Sequence, residues 1–320
     1  MPPALPCQGM SHVVDIHSHW WAEDWIPEAY WEAMTDIIVR EMEKGGRDPD
    51  RERVREEYIP TYWDPTGEDL LERMDEAGID HQVVFGLDWG IPLGDPPLSV
   101  REYNRKVAEF TGEHDELTGF VTVDPRREFA VEHVRTALDD WGMGGLKLHP
   151  TSGFHLHDPE TYRLLQLCDE RDVPVLTDSG PIAAPLYSEY SHPNHVDRVV
   201  TDFPDLDLIV AHISLGWWRD LLAVADVNVN TNLRVDISGW QGRAEEYPAE
   251  FANAVRRFVD ALGADRVHWG TDDPAFDAAY PKEEWLDATR ALAERDDEHA
   301  LTEAELEQVL GGGAADLLGL

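Results

Sequence analysis

Val13-Val14-Asp15-Ile16-His17-Ser18-His19 is a short apolar run that ends in His-x-His. On a β-strand alternate side chains share a face, so His17 and His19 project to one side. Two neutral imidazoles held close together are a natural pair of metal ligands. Alone, His-x-His is a weak signal, and two unrelated surface histidines would leave the same pattern. The rest of the chain decides between these readings.

Beyond this run, short β-branched segments alternate with longer amphipathic ones. Strands are expected at 12–17, 82–85, 118–123, 145–149, 173–177, 206–211, 234–237 and 266–270. Helical patterns fall between them at 67–77, 100–114, 130–141, 159–171, 194–203, 217–225 and 248–262. Eight strand–helix units at roughly 30-residue spacing predict a single (β/α)8 barrel spanning 1–320. A doubly wound sheet is the alternative, but the glycine-rich phosphate loop it normally carries after an early strand is not seen. One connection, 20–65, is too long for a barrel loop and reads as a helical insertion after the first strand. An insertion there sits at the catalytic face and often acts as a lid. Its aromatics, among them Trp20, Trp21, Trp25, Tyr58, Tyr62 and Trp63, either wall a substrate pocket or pack the insertion down. Trp20 is the candidate pocket residue. The segment 301–320 reads as a capping helix.

The chain carries 26 basic and 65 acidic residues, a formal charge of −39, and only four of the basic residues are lysines. The acids are dispersed, which argues against an acidic tail. An acidic, lysine-poor surface resembles that of proteins from salt-in halophiles, where salt screens self-repulsion. Nucleic acid is excluded as an expected partner, because phosphate binding needs clustered Lys and Arg. No stretch approaches ~18 uninterrupted apolar residues, so no membrane span is expected. Two cysteines, Cys7 and Cys168, make no disulfide framework. The first residues lack a basic-then-apolar leader, and a cytoplasmic protein is expected.

In a barrel of this kind the C-terminal strand ends converge on one mouth. His17 and His19 stand at strand one, Lys147 and His149 at strand four, Asp178 at strand five and His212 at strand six. Asp272 and Asp273 follow strand eight. Each has an ordinary structural explanation: a hydrogen-bonded core histidine, a turn-capping aspartate, a helix-entry turn. Lys147 is the hardest to explain away, since lysine is rarely buried unpaired, and it is a candidate to bind an anionic substrate. His155 and His157 are expected on the surface. The arginines Arg51, Arg53 and Arg55 are expected to line a solvated helix face.

With these residues in view, the chain resembles the amidohydrolase superfamily, specifically the amidohydrolase-related branch that includes aminocarboxymuconate-semialdehyde decarboxylase and γ-resorcylate decarboxylase. The resemblance rests on Asp15-Ile16-His17-Ser18-His19, Gly145-Leu146-Lys147-Leu148-His149-Pro150, Val210-Ala211-His212-Ile213-Ser214-Leu215-Gly216 and Trp269-Gly270-Thr271-Asp272-Asp273-Pro274. It implies a (β/α)8 barrel, one divalent metal and small-molecule turnover. Zn²⁺ is the first expectation for that metal and Mn²⁺ the alternative. It further implies that His17, His19 and Asp272 are metal ligands, that Asp272 takes a proton from metal-bound water, and that His212 is an acid–base residue. Where the family usually has a strand-five histidine ligand, this chain has Asp178. Asp178 can ligate through oxygen with a harder preference, or His149 can fill the position, or the position can be lost. His149 and Trp20 join Lys147 as expected substrate contacts.

A metal held by two histidines and one or two carboxylates, with an open position, activates water. That makes hydrolysis of a small, carboxylated amide, lactone or similar carbonyl compound the leading expectation. Non-oxidative decarboxylation on the same ligands is the alternative. A barrel that only binds, its activity lost with the strand-five histidine, is a third reading. The resemblance and the Trp-rich insertion suggest a homodimer.

Overall fold

The computed structural model describes residues 12–276 and 279–320; Cys7 and the first residues, on which the leader reading rests, lie outside that range. Eight parallel strands run in sequence order: β1 Val14–His19, β2 His81–Phe85, β3 Leu117–Thr122, β4 Gly145–Leu148, β5 Val175–Thr177, β6 Leu208–Val210, β7 Leu233–Asp236 and β8 Val267–His268. A parallel bridge between Ser18 and Asp273 closes β8 onto β1, helped by Ile16 N–H to Trp269 O at 3.1 Å and Asp272 N–H to His17 O at 2.8 Å. The molecule is therefore a (β/α)8 barrel, as the alternation predicts.

The strands are short and almost wholly buried, as strands covered on both faces must be. Val14, Ile16, Val83, Phe85, Phe120, Leu176, Ile209 and Ala211 fill the barrel interior, with Ala314 added from the C-terminal segment. A larger apolar cluster joins the outer strand faces to the surrounding helices. The helix after each strand keeps its expected place, from Glu68–Ala77 to Pro248–Leu262, with boundaries shifted by a few residues at most. A further helix, Lys282–Arg290, completes the ring after β8.

Three details differ from expectation. β1 starts later than predicted and contains both histidines, and its register against β2 slips by one residue between Asp15 and Ser18. This β-bulge lets the consecutive Ile16 and His17 both serve the interior, so bare alternation is not what aims the histidines. β8 is only two residues long, because the Trp269 N–H bonds to Val309 O instead of continuing the ladder. The expected capping helix runs from Glu303–Glu307 to Gly313–Leu318 with helical backbone throughout, but widens into a π-helical turn over Gln308–Gly312. Glycine is required in that turn, since a Cβ on Gly311 would overlap the His12 carbonyl.

The insertion holds the helix Glu28–Lys44 and a run of short turns from Arg51 to Tyr62. Both readings of its aromatics apply, to different residues. Trp20, Trp25, Trp31 and Tyr62 are packed into the apolar cluster, whereas Trp21 and Tyr30 reach the cavity at the barrel mouth. Arg51 pairs with Glu32 and Asp36, Arg53 with Glu57, and Arg55 with Glu28, all at 2.7–2.8 Å, so these arginines bind their own insertion. No helix among the described residues is long and apolar enough to cross a membrane.

Candidate active site

The mouth of the barrel opens into a cavity of about 240 Å³ lined by His17, His19, Lys147, His149, Asp178, His212 and Asp272. Trp21, Tyr30, Leu87, Trp89, Leu215 and Phe276 supply apolar wall. Six strand ends thus deliver polar groups to one point: β1, β4, β5, β6 and β8 from within the cavity lining, and β7 from behind it.

His17 is fixed from behind. Its Nδ1 lies 3.0 Å from Asp236 Oδ2 on β7 and 3.1 Å from Ser238 Oγ. An Nδ1–H that donates to Asp236 leaves the Nε2 lone pair facing the cavity, the arrangement by which a carboxylate orients a ligating imidazole. Burial, and then the Lys147 charge, lower the His17 pKa to about 4, which keeps this ring neutral. Asp272 Oδ1 stands 3.4 Å from His17 Nε2 and 3.1 Å from His19 Nε2. His17, His19 and Asp272 therefore form a donor set with atoms mutually within 4.8 Å. Two imidazole nitrogens and a carboxylate oxygen suit Zn²⁺ or Mn²⁺. In the other close group, His17, His212 and Asp236, the Asp236 carboxylate already accepts from His17 Nδ1 and from the His212 N–H.

Lys147 Nζ lies 3.0 Å from His17 Nε2 and 4.7 Å from the centre of the Phe85 ring. Burial lowers its pKa, while Asp178, Asp236 and Asp272 oppose that shift. The ammonium thus marks a point where three carboxylates stabilise positive charge, and a metal ion bound there would compete with it for the His17 lone pair.

His212 occupies an unusual backbone. His212, Ile213, Ser214 and Leu215 have φ of 63°, 37°, 59° and 48°, a left-handed run of non-glycine residues. Such strain, of order 1–3 kcal/mol per residue, persists only where the surroundings enforce it. Asp236 Oδ1 accepts the His212 N–H at 3.0 Å, Trp240 Nε1 donates to the His212 carbonyl at 2.5 Å, and the Ser179 and Ser214 hydroxyls meet at 2.7 Å. The His212 ring lies 3.1 Å by Nδ1 from the Ser238 carbonyl and 3.2 Å by Nε2 from Asp178 Oδ1. Burial alone would lower its pKa; the hydrogen bond to Asp178 and the charges of Asp272, Asp236 and Asp178 outweigh it and raise it to about 9. Burial likewise pushes Asp178 upward, but the His212 hydrogen bond, the His212 charge and Lys147 hold its carboxyl below the usual range.

One expectation needs correction. Trp20 does not line the cavity: its Nε1 donates to the Asp64 carbonyl at 2.5 Å and its ring stacks on Phe110 at 4.5 Å. The next residue, Trp21, faces the site instead, 5.4 Å from the His19 ring. Asp178 shares no close donor group with His17 and His19, and is paired with His212. His149 reaches the cavity, 5.7 Å from Trp89 and 6.0 Å from the His19 ring, and also stands outside the donor set. Asp273 is a counter-ion for Lys282 at 3.0 Å, away from the donor set. His155 and His157 pack beside His195 and do not line the cavity. Sequence reasoning passed over Asp236 and Ser238, although an aspartate at the end of apolar strand seven was the same kind of signal as Asp178.

A family model described as Amidohydrolase matches residues 14–320. No curated protein matches the chain in sequence. Among solved structures, 5-carboxyvanillate decarboxylase from Sphingomonas paucimobilis superposes with a TM-score of 0.66 at 14% identity, covering 97% of this chain and 100% of its own. A dihydroxybenzoic acid decarboxylase from Polaromonas sp. JS666, solved with manganese and the inhibitor 2-nitroresorcinol, gives 0.63 at 16% identity, covering 97% and 98%. A probable 2-pyrone-4,6-dicarboxylic acid hydrolase from Acinetobacter baumannii, with citric acid bound, gives 0.62 at 15% identity, covering 97% and 100%. At these identities the likeness shows the shared fold.

Proposed function

This chain belongs to the amidohydrolase family, and from that premise we propose that it is a metal-dependent, non-oxidative decarboxylase of a small, singly carboxylated aromatic substrate. The observation that carries the reading is the His17, His19 and Asp272 donor set in a cavity lined also by Trp21, Tyr30 and Trp89, beside the buried Lys147 ammonium. His17, His19 and Asp272 would hold the ion. Bound there, a Zn²⁺ or Mn²⁺ ion would supply Lewis-acid binding of the substrate's oxygens. The manganese in the Polaromonas relative supports Mn²⁺ as much as Zn²⁺.

The remaining steps fall to the chain's own residues. Trp21, Trp89 and Tyr30 offer flat apolar faces to a ring, and Lys147 offers its single charge to a carboxylate. The insertion that supplies Trp21 and Tyr30 serves as a lid that keeps water out. Decarboxylation needs a proton delivered to the ring carbon that bears the carboxylate. The C–C bond then breaks, its electron pair restores the ring and CO2 leaves. His212 lines the cavity with its Nε2 3.2 Å from Asp178 Oδ1, and it is the proposed donor, its proton passing from that hydrogen bond to the substrate carbon.

Hydrolysis, the leading expectation from sequence, becomes the second reading. The Acinetobacter relative favours it, and Asp272 next to the donor set could accept a proton from water. Two observations favour decarboxylation: both decarboxylase relatives take ring acids by name, and Lys147 is the sole Lys or Arg among the described residues lining the cavity. A dicarboxylate ring would ask for a second cation.

The test is product mass from a panel of hydroxylated benzoates and of lactones, offered to Mn²⁺- and Zn²⁺-loaded protein. Loss of CO2 from a benzoate, abolished in His212→Ala with metal retained, is expected. Gain of water by a lactone, with no benzoate turned over, would replace this reading by hydrolysis.

A further inference from the structure

Asp178 directly follows β5, where its N–H donates to Leu148 O at 2.9 Å, and both of its carboxylate oxygens are engaged. Oδ1 meets His212 Nε2 at 3.2 Å, and Oδ2 accepts from Thr151 Oγ1 at 3.4 Å. No group of close metal-ligating atoms among the described residues includes it, although His17, His19 and Asp272 do make one. A carboxylate reaches less far from its Cα than an imidazole Nε2, so an aspartate here meets the facing histidine before it meets the donor set. The opposite edge of the His212 ring is also fixed, with Nδ1 2.9 Å from Ser238 Oγ and 3.1 Å from the Ser238 carbonyl. Gly239 packs so closely that a Cβ there would stand 3.0 Å from His212 Nδ1. His212 is thus gripped at both nitrogens, from β7 on one side and from β5 on the other.

We infer that Asp178 is a positioning residue that fixes the His212 ring in the cavity, and that the metal is held by three protein ligands without it. The inference deepens the proposed function and rests on its metal-dependent reading. It gives the strand-five position a role different from ligation: the residue sets the orientation of the His212 ring at the cavity wall. An ion held by three protein ligands would keep room for a chelating substrate. Ser238 and Gly239 hold the opposite edge of the ring, so removing Asp178 frees it to pivot about that edge.

The test uses full-length protein loaded with Co²⁺, whose visible spectrum reports its ligands, together with ¹⁵N signals of the histidine rings. In Asp178→Asn, about one equivalent of Co²⁺ is expected to remain, with an unchanged spectrum and an affinity within about threefold of the parent. Asp272→Asn, which removes a ligand, should weaken Co²⁺ by more than about a hundredfold. The His212 ring signals should move in Asp178→Asn and return toward the parent in Asp178→Glu, which keeps the charge. Loss of Co²⁺ or a changed Co²⁺ spectrum in Asp178→Asn would make Asp178 a ligand and overturn the inference. Unmoved His212 signals would overturn it equally. Should the parent itself bind no metal, the metal-dependent reading fails, and the His212 signals alone still decide whether Asp178 positions that ring. Circular dichroism of each variant separates these outcomes from misfolding.

Discussion

Asp236 lies behind His17, yet it sets which nitrogen of that ring faces the cavity. Replacing it by asparagine leaves the shape and removes the charge that favours an Nδ1–H donor. Asp236→Asn is expected to weaken metal binding by about tenfold to a hundredfold, read by competition with a chelator. Unchanged affinity would mean that the tautomer is set elsewhere. At this scale the sequence offered residue types well, because a histidine or aspartate that ends an apolar strand stands out. His17, His19, His212 and Asp272 were visible in that way, and the structure brings all four to one cavity. Partners were not visible. Nothing in the chain says that Asp178 meets His212 or that Asp236 backs His17, since those pairs are 34 and 219 residues apart. Nor does local spacing separate Trp20 from Trp21, because beyond the strand end alternation no longer dictates direction.

Elements were legible where their periodicity is long. The helix Pro248–Leu262 falls at its predicted limits, set by a proline at its first position and a glycine after its last. The β1 bulge was not legible, since one extra residue in a pairing leaves no mark in composition. The wide turn in the C-terminal helix coincides with a close backbone approach at Gly311, which is likewise a tertiary fact. That segment is tied to the barrel by Arg256, whose guanidinium meets both Glu305 oxygens at 2.9 Å while Glu305 also caps its own helix from Thr302. The hydrogen bonds from Arg256 lower the Glu305 pKa from 4.5 to about 2. A carboxylate depressed in the fold stabilises it above its ordinary pKa, and that contribution disappears as pH falls from 4.5 toward 2. With the pair partly solvated, Glu305→Gln should cost about 1 kcal/mol at neutral pH in denaturant titration. The two proteins should converge near the acid end. A difference that persists there would locate the effect in packing and not in charge.

Over the whole molecule, 65 acidic residues against 26 basic ones crowd negative charge onto a surface that folding makes compact. The Debye length shrinks from ~10 Å at 0.1 M salt to ~3 Å at 1 M, so repulsion between neighbouring carboxylates is relieved progressively across that range. We expect the melting temperature to rise steadily as KCl goes from about 0.1 M to molar concentrations. A melting temperature indifferent to KCl would remove the link between this composition and a high-salt setting. Charge of this kind governs solubility and stability in salt and leaves the fold and the chemistry to other residues.

By itself the sequence determined the barrel, because eight apolar strands alternating with amphipathic helices admit few other packings, and each strand carries its own evidence locally. It also determined the stock of histidines, carboxylates and the one buried lysine at the mouth. Only the tertiary structure decided how that stock is divided. His17 and His19 share Asp272, His17 leans on Asp236, and Asp178 turns to His212. Such pairings depend on which strand ends become neighbours and on a one-residue bulge that turns a side chain inward. Distances between strands that are far apart in sequence exist only once the barrel has closed.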